Sequence, residues 1–154
     1  KCKVIRAHGM NAQYQHTEFG YNYRMTDISA AIGREQLKKL SKFNSRRREI
    51  AEIYNSELSD LVVTPKNRRG HVFHQYTIRT EKRDQLKEFL FDRKINTGIY
   101  YPSLLFNYPS MEAYKSICPN AEILIKEVLS LPVHPALTDS DVFEVISSIK
   151  EFFE

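Results

Sequence analysis

The densest chemistry in the sequence lies at Asn22 and Arg24, within the run Gly20-Tyr21-Asn22-Tyr23-Arg24-Met25-Thr26-Asp27-Ile28. Two residues apart in an extended segment, an amide and a guanidinium project to the same side. Both donate hydrogen bonds, and the guanidinium does so through a planar fork, so the pair suits a phosphate or a carboxylate next to a helix start. A structural reading, in which Asn22 caps a turn and Arg24 pairs with an acid, stands level with it on spacing alone.

Other chemistry-bearing residues are more ordinary. His71 and His74 are the only close pair among five histidines; an offset of three in a strand sends them to opposite faces, so they do not converge on a metal, and both read as structural or surface residues. His134, in Pro132-Val133-His134-Pro135, is stiffly held, which suits a ligand contact or a buried hydrogen bond, the second being favoured. Arg46-Arg47-Arg48, preceded by Lys38, Lys39 and Lys42, makes one stretch of helix basic. A solvated face beside Glu49 and Glu52 is favoured there over nucleic-acid binding, because no aromatic interleaving supports base reading. No glycine-rich phosphate loop, Gly-x-Ser-x-Gly or His-Glu-x-x-His is present, so nothing self-contained makes an enzyme.

These residues need elements to position them. Thr26 is a helix N-cap and Asp27 puts negative charge in the first turn. Ile28, Ile32, Leu40, Phe43, Ile50, Tyr54 and Leu58 then recur near whole helical turns, with Leu37 widening the stripe, which predicts one long helix, or two joined, over 27–58. Ala30, Ala31 and Gly33 thin its start and predict close packing there. His8-Gly9-Met10-Asn11 reads as a break and 12–19 as a polar loop. Val72 to Thr80 is rich in β-formers and predicts a strand, with Val72, His74, Tyr76 and Ile78 on one face. Arg83 to Arg93 is a second amphipathic helix, and 96–101 a turn and short strand beside the first. Helices are also expected over 111–117, over 121–129, and after Thr138, where Val142, Val145, Ile146, Ile149 and Phe153 share one side.

With 154 residues, 42% hydrophobic and 27% charged, the chain has the composition of one globular core rather than of a disordered segment. A net charge of +4 permits an anionic partner without naming one. Two cysteines, Cys2 and Cys118, support neither a disulfide framework nor a zinc site and suit a reducing, cytoplasmic setting. No apolar run reaches the roughly 20 residues that cross a bilayer, so a soluble protein is expected. Lys1-Cys2-Lys3 reads as the middle of an element, and the expectation is a piece of a longer polypeptide.

Several motifs occur together in the order seen in one family: Arg6-x-His8-Gly9-Met10, Gly20 to Asp27 with Ala30-Ala31-Ile32-Gly33 and Gln36-Leu37, Arg47-Arg48 with Ala51 and Tyr54, and His74-Gln75-Tyr76 with Arg83. Thr97-Gly98-Ile99-Tyr100-Tyr101-Pro102 and Leu129-Ser130-Leu131-Pro132-Val133-His134-Pro135 follow in turn. Over nearly its whole length the chain resembles the C-terminal part of the DegT/StrS-type sugar aminotransferases, enzymes dependent on pyridoxal 5'-phosphate (PLP).

The resemblance implies the aspartate-aminotransferase fold (fold-type I). Its expected form here is an α/β, α+β-like small domain: a long helix, then a small, mainly antiparallel sheet packed by helices. It implies residues 1–25 as a linker and active-site segment of the large domain, 26–154 as the small domain, and the PLP-carrying lysine upstream. It implies transfer of an amino group, usually from glutamate, to a keto nucleotide-sugar in sugar or polysaccharide biosynthesis, in a homodimer with shared active sites. On this reading no catalytic residue lies in the chain: Asn22 meets the PLP phosphate of the neighbouring subunit, and Arg24, Tyr23 and Tyr101 lie near substrate. Alone, the chain is expected to be inactive. One departure stands out: family members commonly carry Pro-Leu-His after Tyr-Tyr-Pro, and here Leu104-Leu105-Phe106 stands instead. Phe106 can form no side-chain hydrogen bond. The alternatives from other classes are a non-catalytic regulatory or nucleic-acid-binding module using the basic helix, and a degenerate domain that only dimerises.

Overall fold

A computed structural model describes residues 1–154, which divide into two compact units, Lys1–Ser41 and Lys42–Glu154. The long helix α2, Asp27–Leu58, begins as its sequence predicts: the Ser29 amide donates to Thr26 Oγ1 at 3.3 Å, and Asp27 lies in the first turn. The division falls inside it, after Ser41.

In the first unit α1, Cys2–Ile5, precedes a small antiparallel hairpin of β1, Met10–Ala12, and β2, Gln15–His16, where a polar loop was expected. The chain reverses into it through His8 and Gly9, both at positive φ. Glycine is required at position 9, because a Cβ there would stand 1.7 Å from the Glu18 carbonyl oxygen. Along this unit's part of α2 the apolar stripe is not covered: Ile28, Ile32, Leu37 and Leu40 are all exposed. The close packing expected at the small residues is likewise absent within the chain, since a Cβ on Gly33 would meet nothing within 4 Å.

The second unit holds the core. Ile50, Ala51, Tyr54 and Leu58 of α2 are fully buried, so the stripe read from the sequence does its packing only in the helix's later turns. They join β3, Tyr76–Arg79, α3, Arg83–Asp92, and a strand β4, Val128–Leu131, antiparallel to β3. Register places Tyr76 opposite Leu131 and Ile78 opposite Leu129, all four buried, while Thr77 and Ser130 meet through their hydroxyls at 2.8 Å on the other face. Helix α4, Pro119–Glu127, precedes β4, and α5, Asp139–Phe153, buries Val142, Val145, Ile146 and Ile149. Full burial of each such side chain stabilises by about 1.5–3 kcal/mol.

Four expectations need correction. The strand from Val72 starts only at Tyr76, because Phe73 takes φ of +47° and is buried out of line with a two-residue period, while His74 is exposed. The segment at Gly98 pairs with Ser130 of β4 rather than with β3; two backbone bonds of 3.0 and 2.7 Å join them. The other edge of β3 is taken by Val63, bridged to Arg79. The helix expected over 121–129 ends at Glu127, and its last apolar residues belong to β4. Finally, the helix over 111–117 is a 3-10 turn at Pro109–Tyr114. Sheet hydrogen bonds from distant segments decide the second and third cases, and local periodicity does not register them.

The last helix is capped as its sequence requires. Asp141 N–H donates to Thr138 Oγ1 at 3.2 Å, and Thr138 N–H donates back to Asp141 Oδ2 at 2.8 Å, a reciprocal capping box. Thr138 Oγ1 also donates to Asp141 Oδ2 at 2.7 Å, and this hydroxyl bond first and the amide bond second hold the Asp141 carboxyl below its ordinary value near 3.8.

Candidate functional site

Asn22, Tyr23 and Arg24 are brought together in the first unit by a backbone clamp. Residues 21–23 run against 5–8: Tyr21 N–H donates to Ile5 O at 2.8 Å, Tyr23 N–H to Arg6 O at 3.0 Å, and His8 N–H to Tyr21 O at 3.0 Å. Ala7 and Asn22 form the antiparallel bridge between them. Approach this close requires two glycines, since a Cβ on Gly20 would stand 2.0 Å from the Gly9 nitrogen.

On this clamp Arg24 Nε donates to Asn22 Oδ1 at 2.8 Å, so the amide and guanidinium share a side as their spacing predicts. Within this chain no carboxylate pairs with Arg24. With Oδ1 accepting from Arg24, the Asn22 NH2 group and the guanidinium's terminal nitrogens make no hydrogen bond within the chain. The rings of Tyr21 and Tyr23 stack at 4.9 Å, and all four side chains are exposed. The result is a set of donors on a fixed backbone, chemically matched to the oxygens of an anion.

Tyr101 belongs to the second unit, where it is exposed and meets the edge of Tyr100. Phe106, in the position that departs from the family pattern, is half-buried in a hollow with Leu104, Ile117 and Ile125.

The second unit also has a cavity of about 430 Å³. Arg47 of α2, His74 before β3, Asn96 and Thr97 before the Gly98 bridge, and His134 after β4 line it. Sequence reading assigned Arg47 to a solvated face and His74 to a structural or surface role; four separate stretches of chain bring them to one wall, and no local pattern announces that. Neighbouring Arg46 is structural instead: it donates to Asp139 Oδ1 at 2.7 Å and to Leu137 O at 2.9 Å, and the Asp139 bond raises its pKa. His134 does hydrogen-bond, its Nδ1 accepting from Ala136 N–H at 3.1 Å, but it is exposed rather than buried.

The profile of the DegT/DnrJ/EryC1/StrS aminotransferase family matches residues 1–150. The chain belongs to this family. The DegT/DnrJ/EryC1/StrS relatives include the pleiotropic regulatory protein of Geobacillus stearothermophilus, 42% identical over 99% of this chain and 44% of that protein. GDP-perosamine synthase of Escherichia coli O157:H7 is 36% identical over 99% of the chain and 44% of its own length. Among solved structures, DesV of S. venezuelae superposes with a TM-score of 0.90 at 32% identity, covering 99% of this chain and 43% of DesV. The ntda protein of Bacillus subtilis, solved with bound cofactor PMP, gives 0.87 at 27% identity, covering 99% and 38%. The chain therefore has the aminotransferase fold of this family and spans less than half the length of these relatives. No helix is long and apolar enough to cross a membrane.

Proposed function

We propose that the chain is the C-terminal portion of a PLP-dependent aminotransferase that moves an amino group, from glutamate, to a keto nucleotide-sugar in sugar or polysaccharide biosynthesis. The observation that carries this reading is the clamp of residues 20–24, which fixes an outward-facing amide and guanidinium whose free donors suit phosphate oxygens. Asn22 would hold the PLP phosphate of the partner subunit, with Arg24 and Tyr23 beside it and Tyr101 toward substrate. When bound, the cofactor supplies the electron sink for amino transfer. The chain's own part is to bind and orient, because fixed donors cost no reorganisation when the anion arrives.

A second copy as partner is supported by the exposed apolar residues Phe19, Met25, Ile28 and Ile32 around the same segment, a grouping that is costly to leave in water. Residues 1–25 would serve the large domain and 26–154 form the small one. Lacking the lysine that carries the cofactor, the chain alone would be inactive and, in the full-length dimer, would work in the cytoplasm.

The test is Asn22→Ala in the full-length protein, following cofactor absorbance through gel filtration. Hydrogen bonds to a charged group contribute about 1.5–3 kcal/mol, so retention should weaken roughly tenfold or more. A variant that keeps its cofactor as wild type does would remove the phosphate role.

A further inference from the structure

We propose that the structural task of Arg46 is to position His134: from α2 it holds the far end of the loop 132–138 and so fixes where the imidazole meets the cavity. The inference rests on the proposed amino transfer and names within it a residue that acts through another.

Two side chains of α2 grip this loop near its two ends. Tyr54, fully buried, donates its hydroxyl to the Pro132 carbonyl at 2.9 Å. Arg46, a little over two turns earlier in the helix, donates through Nη2 to the Leu137 carbonyl at 2.9 Å and to Asp139 Oδ1 at 2.7 Å. Its Nη1 reaches Glu49 at 3.5 Å, so the fork is also steadied from its own helix. A guanidinium suits this task because its donors point in fixed directions.

Between the grips the loop has little freedom. Pro132 and Pro135 have fixed φ, and Val133 is buried. His134 bonds forward twice: its Nδ1 accepts the Ala136 N–H at 3.1 Å, and its carbonyl accepts the Leu137 N–H at 3.0 Å. With Nδ1 an acceptor, the proton of the neutral ring lies on Nε2. The ring is thus tied to Ala136 and Leu137, and Leu137 is the residue whose carbonyl Arg46 holds. A shift at Leu137 is passed to the ring rather than absorbed.

Stability alone does not account for the tether. Asp139 is 68% exposed, and an ion pair with so exposed an acid adds little to the stability of a whole domain. Its consequence is local: without Arg46, α2 hydrogen-bonds the loop at Pro132 alone.

The test uses the full-length protein. In Arg46→Met, hydrogen exchange of the Ala136 and Leu137 amides should accelerate roughly tenfold or more, while the β3 and β4 amides and the melting temperature stay as in wild type. Asp139→Asn, which leaves Arg46 in place, should give a smaller acceleration of the same two amides. The second readout is conversion of the bound cofactor by L-glutamate, followed by absorbance. Arg46→Met should raise the half-saturating glutamate concentration about fivefold with the maximal rate little changed. His134→Ala should raise it as well, and Arg46→Met should add nothing in that background. Unchanged exchange at the two amides, faster exchange throughout the second unit, unchanged half-saturation in Arg46→Met, or an effect that persists in full in His134→Ala would each overturn the proposal. If glutamate leaves the wild-type cofactor unconverted, the amino-transfer reading fails, and exchange at Ala136 and Leu137 still decides the tether.

Discussion

Gly20→Ala is the sharpest probe of the clamp that carries Asn22. A methyl group at position 20 would sit 2.0 Å from the Gly9 nitrogen, 2.6 Å from the His8 carbonyl carbon and 2.7 Å from the Gly9 Cα. All three are backbone atoms, so no side chain can turn aside. Restoring ordinary contact near 3.5 Å requires the two segments to part by about 1.5 Å. That is enough to break the bonds of 2.8–3.0 Å from Tyr21 and His8. Overpacking costs about 1–3 kcal/mol even where side chains can adjust, and this case belongs at the upper end. Hydrogen exchange of the His8, Tyr21 and Tyr23 amides should therefore accelerate roughly 100-fold, taking about 1.4 kcal/mol per tenfold. Gly33→Ala is the matched control: its methyl meets nothing within 4 Å, and in a helix interior the same change should stabilise by about 0.5–1 kcal/mol. Equal protection of those three amides in wild type and Gly20→Ala would refute the clamp.

Two further outcomes follow from the second unit. Thr138→Ala should destabilise by about 1 kcal/mol in chemical denaturation through loss of the cap on α5. The box is also pH-dependent: Asp141 has a lowered folded pKa, so its contribution is present above the ordinary carboxylate value and lost as pH falls through the folded one. Asp141→Asn keeps an acceptor for Thr138 and should flatten that part of the acid stability profile; an unchanged slope would show that the carboxylate is uninvolved. Tyr54→Phe removes the donor to the Pro132 carbonyl, a 2.9 Å bond behind the cavity wall. Burial raises the pKa of Tyr54, so the hydroxyl stays a donor into alkaline solution. The expected loss is about 0.5–1.5 kcal/mol, and an unchanged denaturation midpoint would mean that water replaces the bond at no cost.

What could be read before folding follows from how far each interaction reaches along the chain. The boundaries of α2 and the capping of α5 are local: Thr26 with Asp27, and Thr138 with Asp141, sit within a turn of what they stabilise. That Asn22 and Arg24 share a side is equally local, and their spacing predicted it; the bond between them was not foreseen. By contrast β4 takes its identity from partners elsewhere. Val128–Leu131 continues the apolar pattern of α4, and only pairing with Tyr76–Arg79 on one edge and Gly98 on the other makes it a strand. The basic run divides by the same logic. Arg46 and Arg47 are adjacent and identical in type, yet one is claimed by Asp139, 93 positions away. The other turns to a wall shared with His74 and His134. Helical geometry alone sets neighbours about 100° apart, so a charge run on a helix that is partly buried cannot have a single role. The family motif Arg47-Arg48 was recognisable as sequence; that Arg46 holds a carboxylate while Arg47 lines a cavity became legible only in the fold.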